Sequence, residues 1–226
     1  FTNSERGDHM TTSATRSEGA GAAGKILHGP GRYDFLLWLL TLGRETAFRE
    51  KLLGFAALKP GESVLDIGCG TGTLAIAAKR QVGPEGEVFG VDPSPEMLAR
   101  AAKKARKLGV EASFREGFAQ SLPFSEAQFD VVLSTLMVHH LPKSSRREVA
   151  AEVRRVLKPG GRVLVVDIGR VGHTKESIFD RIQAHHGRVD LEEVIDLLSS
   201  VGFEISESGA VGMLRLHFAV ARVPCT

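Results

Sequence analysis

The stretch VLDIGCGTG, Val64 to Gly72, ends an apolar run in an acid and then sets glycine at every second position, 68, 70 and 72. Glycines in such a turn let the backbone approach a ligand closely, and a helix starting there leaves its first amides open to an anion. A dinucleotide site spaces its glycines Gly-x-Gly-x-x-Gly. Here the spacing differs, and position 73 is threonine. Asp66 opposes a pyrophosphate further, because like charges at short range repel strongly. A ligand end with both a carboxylate and an ammonium fits better: the first meets the loop amides, the second meets Asp66. Asp92 ends the next apolar run, 20 positions after Gly72. A carboxylate there accepts hydrogen bonds from both hydroxyls of a ribose. The two acids describe an adenosine with an amino-acid tail rather than a phosphate tail. S-adenosylmethionine is that molecule, and S-adenosylhomocysteine is what remains once its methyl group has left.

A second group of candidates sits in STLMVHHLP, Ser134 to Pro142. If the cofactor donates a methyl group, alignment and exclusion of water are the main tasks, and an acceptor carrying a proton also needs a base. His139 and His140 are the base candidates, with His139 ahead, because imidazole titrates near neutral pH. Cys69 reads as a small loop residue, and Asp130 and Asp167 read as strand-end residues. His28, His173, His185 and His186 read as surface residues, the last two in a segment that could face the cleft. No pattern of metal ligands is present. The run RAAKKARK, Arg100 to Lys107, reads as the solvated face of a helix rather than an RNA contact.

The elements that must hold these residues alternate along the chain. SVLDIG, EVFGVD, EASFREG, FDVVLST and RVLVVD read as strands, and TLAIAAKRQV, SPEMLARAAKKARKLG and SSRREVAAEVRRVLKPGG as helices between them. Continuous apolar strands separated by helices indicate a parallel sheet covered on both faces. In the second of these helices Ser94 is the N-cap, Pro95 opens the first turn and Gly109 follows the end, with Met97, Leu98, Ala101, Ala102, Ala105 and Leu108 as the inner stripe. In the third, Val149, Val153, Val156 and Leu157 face inward. After Asp167 the rhythm changes: DLEEVIDLLSSVG is a helix with Asp190 and Glu193 spaced as a capping box. FEISESGAV and LRLHFAVARV then form a pair of strands at an antiparallel edge. Before the first strand, Phe35 to Leu42 make a helix apolar on several sides, a lid, packed core or a dimer contact, and a second helix runs from about Arg44 to Ala57.

Composition sets the outer limits. The 226 residues suit one domain, 25–226, divided into N-terminal helices 25–58, a cofactor-binding core 59–167 and C-terminal helices and strands 168–226. Residues 1–24 read as a tag ending at His9-Met10 and a glycine-rich disordered lead. A net charge of +2 implies neither nucleic acid nor a membrane as partner. Two cysteines make no disulfide framework, and Phe35–Leu40 is far short of the roughly 20 residues of a membrane span. The expectation is a cytoplasmic monomer or homodimer.

VLDIGCGTG, GVDPSPEML, REGFAQSLPF, FDVVLSTLMVHHLP and EVRRVLKPGGRVLVVD resemble, in order, the motifs of class I S-adenosylmethionine-dependent methyltransferases. The branch resembled is that of ubiquinone and menaquinone biosynthesis. The resemblance runs from about Tyr33 to the C-terminus and is specific for cofactor and fold between Val64 and Asp167. It implies a doubly wound, Rossmann-like α/β fold whose seven-stranded sheet is mostly parallel with an antiparallel last strand. It also implies that Gly68, Gly70 and Gly72 line the methionine part, Asp92 holds the ribose, Met97 packs near the adenine and Tyr33 covers the cofactor. Pro93, Gly117, Phe118, Ala119 and Ser134 complete the implied cofactor site. Many relatives carry an acid after the third strand's glycine to receive the adenine amino group. Here Phe118 stands there, leaving backbone groups around Phe118 and Ala119, or water, to meet it.

The implied activity is methyl transfer to a small, partly hydrophobic acceptor, left open between oxygen, carbon, nitrogen and sulfur. Ser134-Thr135-Leu136 is unlike the Asp/Asn-Pro-Pro-aromatic segment of amino-methylating nucleic-acid enzymes. A cysteine nucleophile, the cysteines of arsenite methylation and the paired glutamates of arginine methylation are lacking as well. Two other readings remain: a protein that holds the cofactor without turnover, kept alive by Phe118, and a nicotinamide-dependent oxidoreductase, opposed by Asp66 and Thr73.

Overall fold

The computed structural model describes residues 45–169, 189–212 and 216–225. Tyr33, the apolar helix expected over Phe35–Leu42, and His28, His173, His185 and His186 lie outside the described residues. In chain order the elements are α1 (Glu45–Ala56), β1 (Ser63–Ile67), α2 (Thr73–Val82), β2 (Glu87–Asp92), α3 (Pro95–Lys107), β3 (Ser113–Glu116) and β4 (Phe129–Thr135). A short 3-10 turn (Val138–His140), α4 (Lys143–Val156), β5 (Leu157–Ile168), α5 (Leu191–Ser200), β6 (Glu204–Ala210) and β7 (Leu216–Arg222) follow.

The seven strands form one sheet in the order β3-β2-β1-β4-β5-β7-β6. The first five are parallel to one another, and β7 is antiparallel to both β5 and β6. The expected strand pair after Asp167 forms one border of the sheet, and the last strand, β7, is antiparallel as expected. It slides between β5 and β6, and β6 becomes the outer strand. The burial pattern gives the reason. Every residue of β7 from Phe218 to Ala221 is buried, so both faces need cover, whereas β6 is largely exposed.

Side chains of each strand alternate between two apolar layers. In β1, Val64 joins Leu74, Ala78 and Val82 of α2 together with Phe48 and Leu52 of α1, while Leu65 and Ile67 join Val149 and Val153 of α4 and Leu198 of α5. Period-two alternation therefore explains why one strand feeds two cores. Helix α3 starts as its sequence indicates: Ser94 Oγ accepts from the Met97 amide at 3.3 Å, Pro95 is the first helical residue and Gly109 follows at φ +61°. Met97, Ala101 and Ala105 are its buried stripe, but Leu108, the C-cap just past the last helical residue, is 47% exposed.

Three expectations shift. Leu157 is buried as the first residue of β5 rather than the last of α4, so the Pro-Gly-Gly segment lies within the strand's span. Asp190 occupies the N-cap of α5 without a side-chain capping bond, and Glu193 is drawn away to Arg146, with Nη1 to Oε1 2.5 Å. Helix α1 runs from 45 to 56, one residue inside each expected end.

Arg162 fastens α1 to the sheet. Its buried guanidinium donates to the carbonyls of Ala56 at 2.6 Å and Ala57 at 2.7 Å and to both oxygens of Glu62 at 2.8 and 2.9 Å. These are orphan carbonyls at a helix end, a natural target for a cation. Burial alone would raise the Glu62 carboxyl, but the Arg162 hydrogen bond, the Lys59 amide and the Arg162 charge together more than offset it, and its pKa lies below the usual value.

Candidate functional site

Strand order reverses between β1 and β4, and ligands in such sheets bind beyond the carboxyl ends of the strands at that point. The cleft of this chain lies there, with about 890 Å3 of empty space, open mouth included. Its wall runs from the loop after β1, past the end of β2 and the start of α3, to the loop after β3, and back through the turn after β4.

Gly68 and Gly70 line this wall. Gly70 has φ +52°, and a Cβ placed on it would meet no atom within 4 Å, so its missing side chain leaves open space. A Cβ on Gly68 would stand 2.6 Å from Met137 Cγ, which ties that glycine to the opposite wall. Gly72 does something else. It is buried beneath α3, where a Cβ would lie 2.7 Å from Ala101 and 2.8 Å from Phe114. It serves close packing between loop, helix and strand, and does not line the cleft.

Asp92 is in the wall, at the end of β2. One carboxylate oxygen accepts from the Gly70 amide at 2.9 Å, the other from the Ser94 amide at 2.9 Å. Each oxygen keeps a further lone pair for a ligand hydroxyl. Burial pushes its pKa up, against those two amide bonds. Asp66 is placed differently from the expectation. It is 1% exposed, points beneath the loop and is absent from the wall. Its carboxylate meets the amide of Ala75 in the first turn of α2, and Arg49 of α1 is the nearby cation. It supplies the negative group that α2 otherwise lacks in its first turn. Burial raises its pKa to about 7, and Oδ2 has no hydrogen-bond partner among the described residues.

Pro93, Met97, Gly117, Phe118 and Ala119 all line the cleft. Phe118 is 46% exposed at its rim, on a tight turn closed by the Ser121 amide to the Phe118 carbonyl at 3.1 Å. Gln120 beside it was not singled out in the sequence, and no hydrogen bond to another described residue fixes its amide. Ser134 is buried at the end of β4, outside the wall, and its hydroxyl has no partner among the described residues.

The two histidines divide. His140 lines the cleft; His139 is buried behind it. His139 Nδ1 lies 2.6 Å from Asp167 Oδ1, and its backbone amide donates to Asp167 Oδ2 at 3.1 Å. The order of preference between them is therefore reversed by position. Sequence reasoning also missed Leu136, Met137 and Leu141, which form the apolar wall around His140. Leu136 is one of the few residues other than glycine with positive φ, +54°, held by its amide to the Val166 carbonyl at 2.8 Å. The available signal was position: residues just past the carboxyl end of a central strand face the cleft. Among the described residues no group of three metal-ligating side chains gathers, and no helix is long and apolar enough to cross a membrane.

The donor set suits the inferred cofactor. Asp92 presents acceptors for a diol, the open side of Gly70 leaves room for backbone-close binding, and the wall between them is apolar. These features match what comparison with known proteins gives. The methyltransferase domain family matches residues 64–161. A demethylmenaquinone methyltransferase of Lactobacillus johnsonii is 37% identical over 137 residues, 60% of this chain and 55% of that protein. The chain thus spans little more than half of that relative's length. A ubiquinone/menaquinone biosynthesis C-methyltransferase, UbiE, of Ralstonia pickettii is 35% identical over 164 residues, 72% of this chain and 67% of that protein. In fold, the chain is similar to a SAM-dependent methyltransferase of Aquifex aeolicus, with a TM-score of 0.69 at 22% identity, covering 87% of this chain and 100% of that one. On the match to the relative from Ralstonia pickettii and to the methyltransferase domain, the chain belongs to the class I S-adenosylmethionine-dependent methyltransferases of the ubiquinone and menaquinone biosynthesis type.

Proposed function

We propose that this chain transfers the methyl group of S-adenosylmethionine to a small acceptor with an apolar face and an ionisable hydroxyl, of the hydroquinone class. One observation carries this: a single cleft joins Gly70 and Asp92 at one end to His140, set among Leu136, Met137 and Leu141, at the other. The names of the relatives from Lactobacillus and Ralstonia point to quinone-type acceptors and, in the second, to carbon.

When bound, the cofactor supplies a methyl group activated by its sulfonium. The chain's own part is binding, alignment and proton handling. Asp92 accepts hydrogen bonds from the ribose hydroxyls and is itself held rigid by the Gly70 and Ser94 amides. The apolar side chains at 136, 137 and 141 exclude water and lie against the acceptor's flat face. His140 takes the hydroxyl proton, which raises electron density on the ring carbon that receives the methyl group, and that carbon then gives up its own proton to restore the aromatic ring.

The test is formation of S-adenosylhomocysteine by the purified protein given S-adenosylmethionine and a panel of demethylmenaquinol, a benzohydroquinone, small amines and thiols. The expected result is turnover with a hydroquinone and one added methyl on ring carbon. Turnover with only an amine or thiol overturns the acceptor class. Tight binding of S-adenosylhomocysteine with no turnover on any acceptor favours a holder of the cofactor.

A further inference from the structure

Asp167 was expected only to terminate its strand, yet it is the most heavily engaged carboxylate near the cleft. It is buried at the end of β5 and accepts three bonds: from the His139 amide at 3.1 Å, from His139 Nδ1 at 2.6 Å and from the Ile168 amide at 2.7 Å. Two of the three reach across to the 3-10 turn after β4, 28 residues away in sequence. A buried carboxylate bonded to both the backbone and the ring of one residue fixes that residue's position and its rotamer together. It also fixes the tautomer, because Nδ1 must carry the hydrogen that faces Asp167.

The ring so fixed is a surface for the next one. The His139 and His140 rings lie with centroids 3.9 Å apart at 43°. His140 lines the cleft and neither Asp167 nor His139 does. We infer that Asp167 and His139 form a positioning pair that sets the His140 ring against the cleft, so that Asp167 governs turnover without touching donor or acceptor. This rests on the methyl-transfer reading above, with His140 as the group that receives the acceptor's proton. Asp167 is thus a positioning residue; its effect passes through one ring to another.

The experiment compares Asp167→Asn, His139→Gln, His140→Gln and the double variant Asp167→Asn/His140→Gln. Turnover is measured with demethylmenaquinol, affinity for S-adenosylhomocysteine by calorimetry, and ring tautomers by long-range 1H–15N spectra. Misplacing a reacting group by about 1 Å can cost about 100-fold, so Asp167→Asn and His139→Gln are each expected to lower kcat by roughly 10- to 100-fold. Affinity for S-adenosylhomocysteine and KM for S-adenosylmethionine stay within about twofold, which a general loss of structure would not allow. Residues acting as a unit give non-additive losses. The double variant should therefore be no slower than His140→Gln alone. Multiplying losses in the double variant, or a fall in cofactor affinity as large as the fall in kcat, overturns the proposal.

If Asp167→Asn does not fold, His139→Gln carries the same comparison. If wild-type protein binds S-adenosylhomocysteine but no acceptor turns over, the methyl-transfer reading fails separately and the spectra decide this one. His139 must then show its hydrogen on Nδ1, and Asp167→Asn must shift the His140 ring signals. Unmoved His140 signals overturn the pair.

Discussion

Gly70 and Gly72 stand two residues apart in one loop and should fail in opposite ways when given a side chain. At Gly70 the added atoms meet only open space on the cleft side. Gly70→Val should therefore fold, at a cost of about 1–2 kcal/mol for its left-handed backbone, and lose S-adenosylhomocysteine binding in calorimetry. At Gly72 the new Cβ meets Ala101 and Phe114. Gly72→Ala should lower the melting temperature, with overpacking of about 1–3 kcal/mol added to the backbone cost, while the remaining folded protein still binds. Asp66 gives a prediction in pH. Burial raises its folded pKa to about 7 from an ordinary 3.8. Between those values the folded state holds more protons than the unfolded state, so this group's contribution to stability falls as pH rises through that window. Asp66→Asn removes the slope. It should be more stable than wild type in denaturant melts at pH 8, by up to a few kcal/mol, and the gain should shrink toward pH 4.

At the scale of elements, Arg162 is the bond between α1 and the sheet. Arg162→Met leaves Glu62 and two helix-end carbonyls without their buried cation. Breaking one partner of a buried pair costs about 3–5 kcal/mol, which denaturant unfolding should show. Hydrogen exchange should rise first in residues 46–56. The helices and strands from Ser63 to Val156 were legible in sequence because apolar runs, glycine stops and the Ser94–Pro95 cap all agree locally. Arg162 itself was not. It opens the run RVLVVD as Asp167 closes it, and each finds its partner across the fold, 100 residues away for Glu62 and 28 for His139. A charge bracketing a buried strand signals that a partner exists, but not which one. The place of β7 was hidden for a similar reason: hairpin pairing with β6 is local, whereas pairing with β5 is set by which strand has two apolar faces to cover.

Over the whole molecule, the site is assembled from the carboxyl ends of β1, β2, β3 and β4, so no single motif describes it. Asp92 and Gly70 were readable as residues of one cleft because loop chemistry leaves a spacing. The division of labour between His139 and His140 was not, since adjacent residues look alike until a turn sends one inward. Cys69 shows what the same architecture does to a thiol. Burial raises its pKa well above the ordinary value, and the negative charges of Asp66 and Asp92 add to the effect. The other cysteine, Cys225, is exposed near the chain's end. Electrophiles and peroxides thus meet a reactive sulfur far from the glycine loop and an inert one within it. One equivalent of maleimide should attach to native protein and two in denaturant, and the singly labelled protein should bind S-adenosylhomocysteine as before. The glycine loop is thereby insulated from thiol oxidation.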